Sequence, residues 1–172
     1  MKKLALCIVL ATVLTAGTAF ASPVHSGGLG IGGLWGGGVN MAGPGDNFNN
    51  YWALSLKVPA NPLFWGLSLR ITSDYMVIGA QGDYYFLGAE IVPTFYWFLG
   101  VGGFASVWTG SGNNGGVSFG ARLPVGVSWQ PIDIFELFFN IAPSLGVMVR
   151  NNRFEFPHSS FNFEVGFRFW LD

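Results

Sequence analysis

The chain has 172 residues, enough for one ordinary domain. Hydrophobic residues make up 51% of it and charged residues 10%, against about 25% charged in soluble domains, so a water-covered surface is hard to build. With a formal net charge of −1 and no basic run it lacks a nucleic-acid footprint, while 26 glycines and 17% aromatics suit a β-rich membrane protein.

Residues 1–21 read as an export signal. Lys2 and Lys3 give a positive start, Leu4 to Leu14 a short apolar core, and Ala19-Phe20-Ala21 a small-x-small cleavage site that leaves Ser22 as the new terminus. The apolar core is too short to span a bilayer as a helix. The only cysteine, Cys7, lies in this segment and follows a Leu where a lipoprotein box has a small residue. Residues 22–172, the expected barrel domain, therefore have no disulfide and no thiol chemistry.

Beyond Ser22 the dominant signal is alternation with a period of two. Val117 to Gln130 shows it best: Val117, Phe119, Ala121, Leu123, Val125, Val127 and Trp129 alternate with Ser118, Gly120, Arg122, Pro124, Gly126, Ser128 and Gln130. The same pattern predicts eight strands, at 28–41, 51–58, 63–73, 76–86, 95–108, 116–130, 133–149 and 160–171. Turn-forming stretches separate them, among them Pro59-Ala60-Asn61-Pro62, Gly88 to Thr94 and Arg150 to Ser159.

Successive side chains of a strand point to opposite faces. One face carries Trp52, Leu54, Leu67, Leu69, Ile78, Val107, Val125, Phe139 and their like, without a charge or an amide. The other carries Lys57, Arg70, Gln81, Asp83, Arg122, Glu136, Asn140, Glu164 and Arg168, with glycine its commonest residue. A soluble sandwich needs about 25–35% charge on its exterior, and this polar face has barely one charge per strand. The fold expected is all-β: an eight-stranded antiparallel up-and-down transmembrane β-barrel, apolar face to lipid and polar face to the lumen.

An even strand count puts both ends on the periplasmic side. Inner turns then fall at 59–62, 87–94 and 131–132, and outer loops at 42–50, 73–75, 109–115 and 150–159. Outward aromatics gather at two rims: Trp65, Tyr84, Trp97, Trp129 and Phe169 at the inner, Trp52 and Phe161 at the outer. The last strand ends in Glu164-x-Gly166-x-x-Phe169-x-Leu171, which resembles the C-terminal signal that the barrel-assembly machinery reads. The partners expected are that machinery and outer-membrane lipid, with the bacterial outer membrane as the location; outer loops of about ten residues at most argue against a large binding surface and leave an extracellular ligand open.

Arg122-Leu123-Pro124-Val125-Gly126-Val127-Ser128-Trp129, Pro131-Ile132-Asp133-Ile134-Phe135 and Ile141-Ala142-Pro143-Ser144-Leu145 together resemble a family of small spirochaete barrels that is compared with OmpA, OmpX and OmpW. The resemblance implies the same eight-stranded fold and little about activity. An acidic residue commonly precedes the Ile-Ala-Pro in that family, where this chain has Asn140. A tight turn at 131–132 would set Arg122 opposite about Asn140, leaving Glu136 or Glu164 as its lumenal partner.

No metal cluster, cofactor motif or catalytic set emerges. Gly28-x-Gly30-x-x-Gly33 matches GxGxxG, but no helix follows it, so it reads as a glycine-faced strand. His25 falls in the N-terminal tail and His158 in an outer loop. His158, Ser160 and an orienting Glu155 have the residue types of an acyl hydrolase or transferase acting on lipid A. However, the deacylases follow their His-x-Ser with Asn-x-Gly, and Phe161-Asn162-Phe163 stands here. The reading preferred is a non-enzymatic barrel whose lumen is plugged by Lys57, Arg70, Asp83, Arg122, Glu136, Glu164 and Arg168, since eight strands leave room only for side chains. The alternative is a narrow passage for small hydrophobic molecules past Phe64, Phe98, Phe104 and Phe138.

Overall fold

The computed structural model describes residues 28–42, 48–59, 61–71, 73, 75–110, 115–151 and 153–171. The export signal, with Cys7, Ala19, Ala21 and Ser22, lies outside the described residues, as does His25. The described elements are strands throughout: β1 (Leu29–Ala42), β2 (Phe48–Lys57), β3 (Phe64–Ile71), β4 (Tyr75–Val92), β5 (Phe95–Gly110), β6 (Gly116–Arg122), β7 (Val125–Ile132), β8 (Phe135–Arg150) and β9 (Arg153–Leu171). Neighbours pair antiparallel, and β1 pairs with β9 from Leu29↔Leu171 to Ala42↔Ser159. The sheet closes on itself and has no free edge.

β6 and β7 share one wall between β5 and β8, so the nine segments make eight walls. The single strand expected over 116–130 is divided because Pro124 has no N–H to give to the ladder. The sheet still holds across the break: the Leu123 N–H donates to the Pro143 carbonyl at 3.0 Å and the Gly100 N–H to the Pro124 carbonyl at 2.8 Å.

Two expected loops turn out to be strand. β4 runs on to Val92, so the turn placed at 87–94 shrinks to Pro93 and Thr94, the latter at φ 71°. Register shifts between Tyr85 and Leu87 and between Glu90 and Val92 take up the extra residues. At the other end Arg150 pairs with Arg153, and the loop placed at 150–159 is mainly the outer half of β9. A shift between Gly146 and Met148 keeps this long hairpin in step and puts His158 inside the sheet, opposite Gly146.

Burial follows the two faces and is inverted relative to a soluble domain. Trp52, Ile71 and Leu69 are 70%, 70% and 53% exposed, whereas Lys57, Asp83, Arg122, Glu136, Glu164 and Arg168 are all 3% or less. The buried apolar clusters sit inside the ring: Phe64, Tyr85, Phe98 and Trp170 form one, Leu34, Ala53 and Phe138 the other, with Tyr51 against the second.

Candidate functional site: the lumen

The six buried charges fall into two layers and the inner rim. In the middle of the barrel, Arg122 on β6 makes two parallel bonds to Glu164 on β9, Nη1 to Oε1 and Nη2 to Oε2, both 2.9 Å. This fork geometry is the strong form of an ion pair. The Arg122 Nε meets Asp83 Oδ1 at 3.2 Å. Glu164 also accepts from the Tyr51 hydroxyl at 2.6 Å, from Gln81 Nε2 at 2.8 Å and from Asn140 Nδ2 at 3.0 Å. Arg122 donates to Gln81 Oε1 as well. Side chains from β2, β4, β6, β8 and β9 therefore meet on the axis.

The second layer is centred on Glu136. It accepts from Arg168 Nη1 at 3.1 and 3.2 Å, from the Ser128 hydroxyl at 2.7 Å and from the Trp170 indole at 3.1 Å. Arg168 also donates through Nε to Ser55 at 2.9 Å, and its guanidinium lies 4.0 Å from the Phe138 ring centre and 4.7 Å from that of Phe64. Phe64, Tyr85 and Phe98 stack at 4.5 and 4.3 Å between centroids. At the inner rim Lys57 donates to the carbonyls of Val58 and Asn61 at 3.2 and 2.6 Å and lies over Phe64. A buried charge is tolerated when it is paired and hydrogen-bonded; the layers pair Arg122 and Arg168 with carboxylates, although Asp83 Oδ1 and Arg122 Nε meet as an ion pair without a hydrogen bond.

Glycines make the layers possible. Gly36 is in register with Tyr51 on one side and Glu164 on the other. A Cβ on Gly36 would lie 2.7 Å from the Tyr51 hydroxyl. Gly32 likewise stands between Ser55 and Arg168. Removing one side chain lets residues two strands apart touch across the gap.

Arg70 does not belong to either layer. It is half-buried at the outer mouth, where it donates to the Asn50 carbonyl at 3.3 Å and stacks 5.1 Å from the Tyr75 ring. Its position next to the outer end of β3 lies above the plug, which alternation cannot report. Nor is Arg122 opposite Asn140: it faces Ser144, and Asn140 faces Gly126. The hairpin turns at Asp133 and Ile134, later than the 131–132 turn expected, and that moves the register. Of the two carboxylates considered for Arg122, Glu164 is the partner, with Asp83 added. Tyr51, Ser55, Ser128 and Trp170 complete the two layers; being uncharged, they show no signal in the sequence beyond their inward parity.

Above the Arg122 layer the lumen opens. A cavity of about 440 Å³ is bounded below by Arg122, Gln81 and Tyr51 and reaches the outer strand ends at Asn40, Asn49, Tyr75 and Arg150. Phe104 lines it, while Phe64, Phe98 and Phe138 lie in the packed half, so these four rings do not form a continuous passage. His158 and Ser160 are on its wall; Ser160 accepts from Asn162 at 3.0 Å, and no hydrogen bond joins it to His158 among the described residues.

The profile of the family described as "Protein of unknown function (DUF3996)" matches residues 29–171, the whole ring. The chain belongs to that family. No curated protein matches this DUF3996 chain in sequence. Among solved structures it is similar to Neisserial surface protein A, with TM-score 0.52 and 14% identity over 83% of this chain and 96% of that one. It is also similar to the N-terminal β-barrel domain of Pseudomonas aeruginosa OprF, with TM-score 0.50 and 11% identity over 81% and 97%. At such identities the likeness concerns the fold alone, that of a small β-barrel.

Proposed function

We propose that this protein is an integral outer-membrane β-barrel, sealed across its inner half, whose role is structural or one of surface interaction and not catalysis. The observation that carries this reading is the inverted burial: large apolar side chains cover the outside and every described charge deep in a strand points inward. Such a ring is stable in hydrocarbon, where every backbone group must be satisfied within the sheet. On this reading residues 1–21 are the export signal, cleaved between Ala21 and Ser22, and the turns at Asn61 and Thr94 face the periplasm. Glu164, Gly166, Phe169 and Leu171 serve as the assembly signal. Phe169 and Leu171 suit that role, because they are 48% and 54% exposed on the outer face of the strand that closes the ring.

The sealed half supports a barrel that does not conduct. Separating a buried pair costs about 3–5 kcal/mol, and water-filled channels of this type have about sixteen strands. The test is single-channel recording of the refolded protein in planar bilayers, together with fractionation of cells expressing the full chain. Outer-membrane recovery and a silent bilayer are expected. Steady ohmic conductance would defeat the sealed lumen in favour of a passage, and recovery in the soluble fraction would defeat the membrane assignment.

A further inference from the structure

The outer cavity is a different environment from the plug below it. It is blind at the Arg122 layer, reaches the outer strand ends, and its 440 Å³ falls within the range of about 300–1,000 Å³ typical of small-molecule sites. Its wall carries five amide side chains and five serines, with Tyr75, Trp108 and Phe104 among them. Ser106 and Ser118 share a single bond at 2.8 Å and Ser160 accepts one from Asn162 at 3.0 Å, so these hydroxyls retain capacity for a further partner; Ser144 donates to the Ala142 carbonyl at 3.2 Å and accepts from Asn162 at 2.9 Å, which leaves it one lone pair. His158 is the sharpest case. It is only 8% exposed, lines the cavity, and its Nδ1 has no hydrogen-bond partner among the described residues. An unsatisfied buried polar atom costs free energy unless something occupies the site.

The charge of the wall narrows the ligand. Arg70, Arg122 and Arg150 line the cavity and no carboxylate does among the described residues. Arg122 is already engaged by Glu164 and Asp83. Arg70, at the mouth, spends one hydrogen bond on the Asn50 carbonyl out of the five donors a guanidinium has. A cationic solute finds no carboxylate on this wall and meets its arginines, and an apolar one would leave the amides and hydroxyls unpaired. A molecule with many hydroxyls, a ring face to lie against Trp108, and one negative group for Arg70 satisfies all three features.

We propose that the outer vestibule binds a small acidic sugar, with the ring hydroxyls on Asn162, Ser144, Ser160 and His158 and the anionic group on Arg70. The proposal rests on the sealed-lumen reading only in that the floor of the site is the Arg122 layer.

Isothermal titration of the refolded full barrel in detergent micelles tests it, with glucuronate, glucose and glucosamine as probes. Folding of every variant is checked by heat-modifiable gel migration. Glucuronate is expected to bind saturably with a dissociation constant of about 1 mM or tighter, and glucosamine more weakly than glucose. Arg70→Gln should weaken glucuronate about fivefold and leave glucose unchanged, as the loss of a charge-assisted hydrogen bond at a partly exposed site. Asn162→Ala should weaken both sugars. Absence of saturable heat with folded wild-type protein overturns the proposal, as does tighter binding of glucosamine or indifference of glucuronate to Arg70→Gln. A silent barrel that binds no sugar removes this inference alone, whereas a conducting barrel that binds sugar removes the sealed lumen alone.

Discussion

Asp83 and Arg122 stand two strands apart, on β4 and β6, and meet at 3.2 Å because the residue registered between them on β5 is Gly102. A Cβ at Gly102 would run into the Asp83 carboxylate and lie 2.6 Å from the Gly82 carbonyl. The same arrangement recurs with Tyr51, Gly36 and Glu164, and with Ser55, Gly32 and Arg168. In this barrel the lumenal glycines set which polar side chains can reach one another across the ring.

Gly102→Val should therefore destabilise the folded barrel by about 1–3 kcal/mol, the usual cost of overpacking. Gly103→Val, one residue along and facing outward, should cost far less. Urea titration in lipid vesicles, read by gel mobility, measures both. Equal midpoints for the two variants would contradict the glycine-gap account.

The Glu136–Arg168 pair allows a cleaner measurement than the central layer. Arg168→Met leaves a buried Glu136 with only Ser128 and Trp170 as donors. Removing one partner of a buried pair typically costs about 3–5 kcal/mol. The double variant Glu136→Leu with Arg168→Met should be less destabilised than either single change, since no charge is then left alone. If the double variant is the least stable of the three, this pair contributes net stability and the desolvation argument fails here.

Faces are tested by a single charge. Val125 is 44% exposed on the outer side of β7, and Gln130 is half-buried on the inward side near the inner rim. Val125→Arg should cost about 2–4 kcal/mol on insertion into lipid, while Gln130→Arg stays close to wild type. Protease resistance of the two refolded proteins in vesicles gives the comparison, and equal resistance would mean that the outer face does not meet lipid.

Deleting residues 169–172 removes the pairs Leu29↔Leu171, Gly30↔Trp170 and Ile31↔Phe169 that close the ring, along with the Trp170 donor to Glu136. Outer-membrane insertion should be lost while export and cleavage continue. Fractionation with an antibody against the barrel reads the outcome, and normal outer-membrane levels of the truncated chain would remove the assembly role from these residues.

Some of this was legible in the sequence because it depends on nearest neighbours along the chain. Alternation in β2, β6, β8 and β9 assigned Trp52, Phe119, Phe139 and Val165 outward and Ser55, Ser118, Asn140 and Glu164 inward, since a strand reverses its side chains at every residue. Eight alternating runs with no other structure between them likewise required a closed antiparallel ring. The inner content of the ring depends on something else. Which inward residues touch is set by register and stagger between strands far apart in sequence, and a bulge or a late turn shifts both. The turn at Asp133 and Ile134 moved Arg122 from Asn140 to Ser144, and the shift at Gly146 drew His158 into the sheet. Parity alone gives Arg70 and Arg122 the same inward direction. Only their heights along the axis make one a mouth residue and the other the centre of the plug. The division of the lumen into a filled half and an open half follows from side-chain volume summed around each level of the barrel, a quantity that exists only once the eight walls are in place.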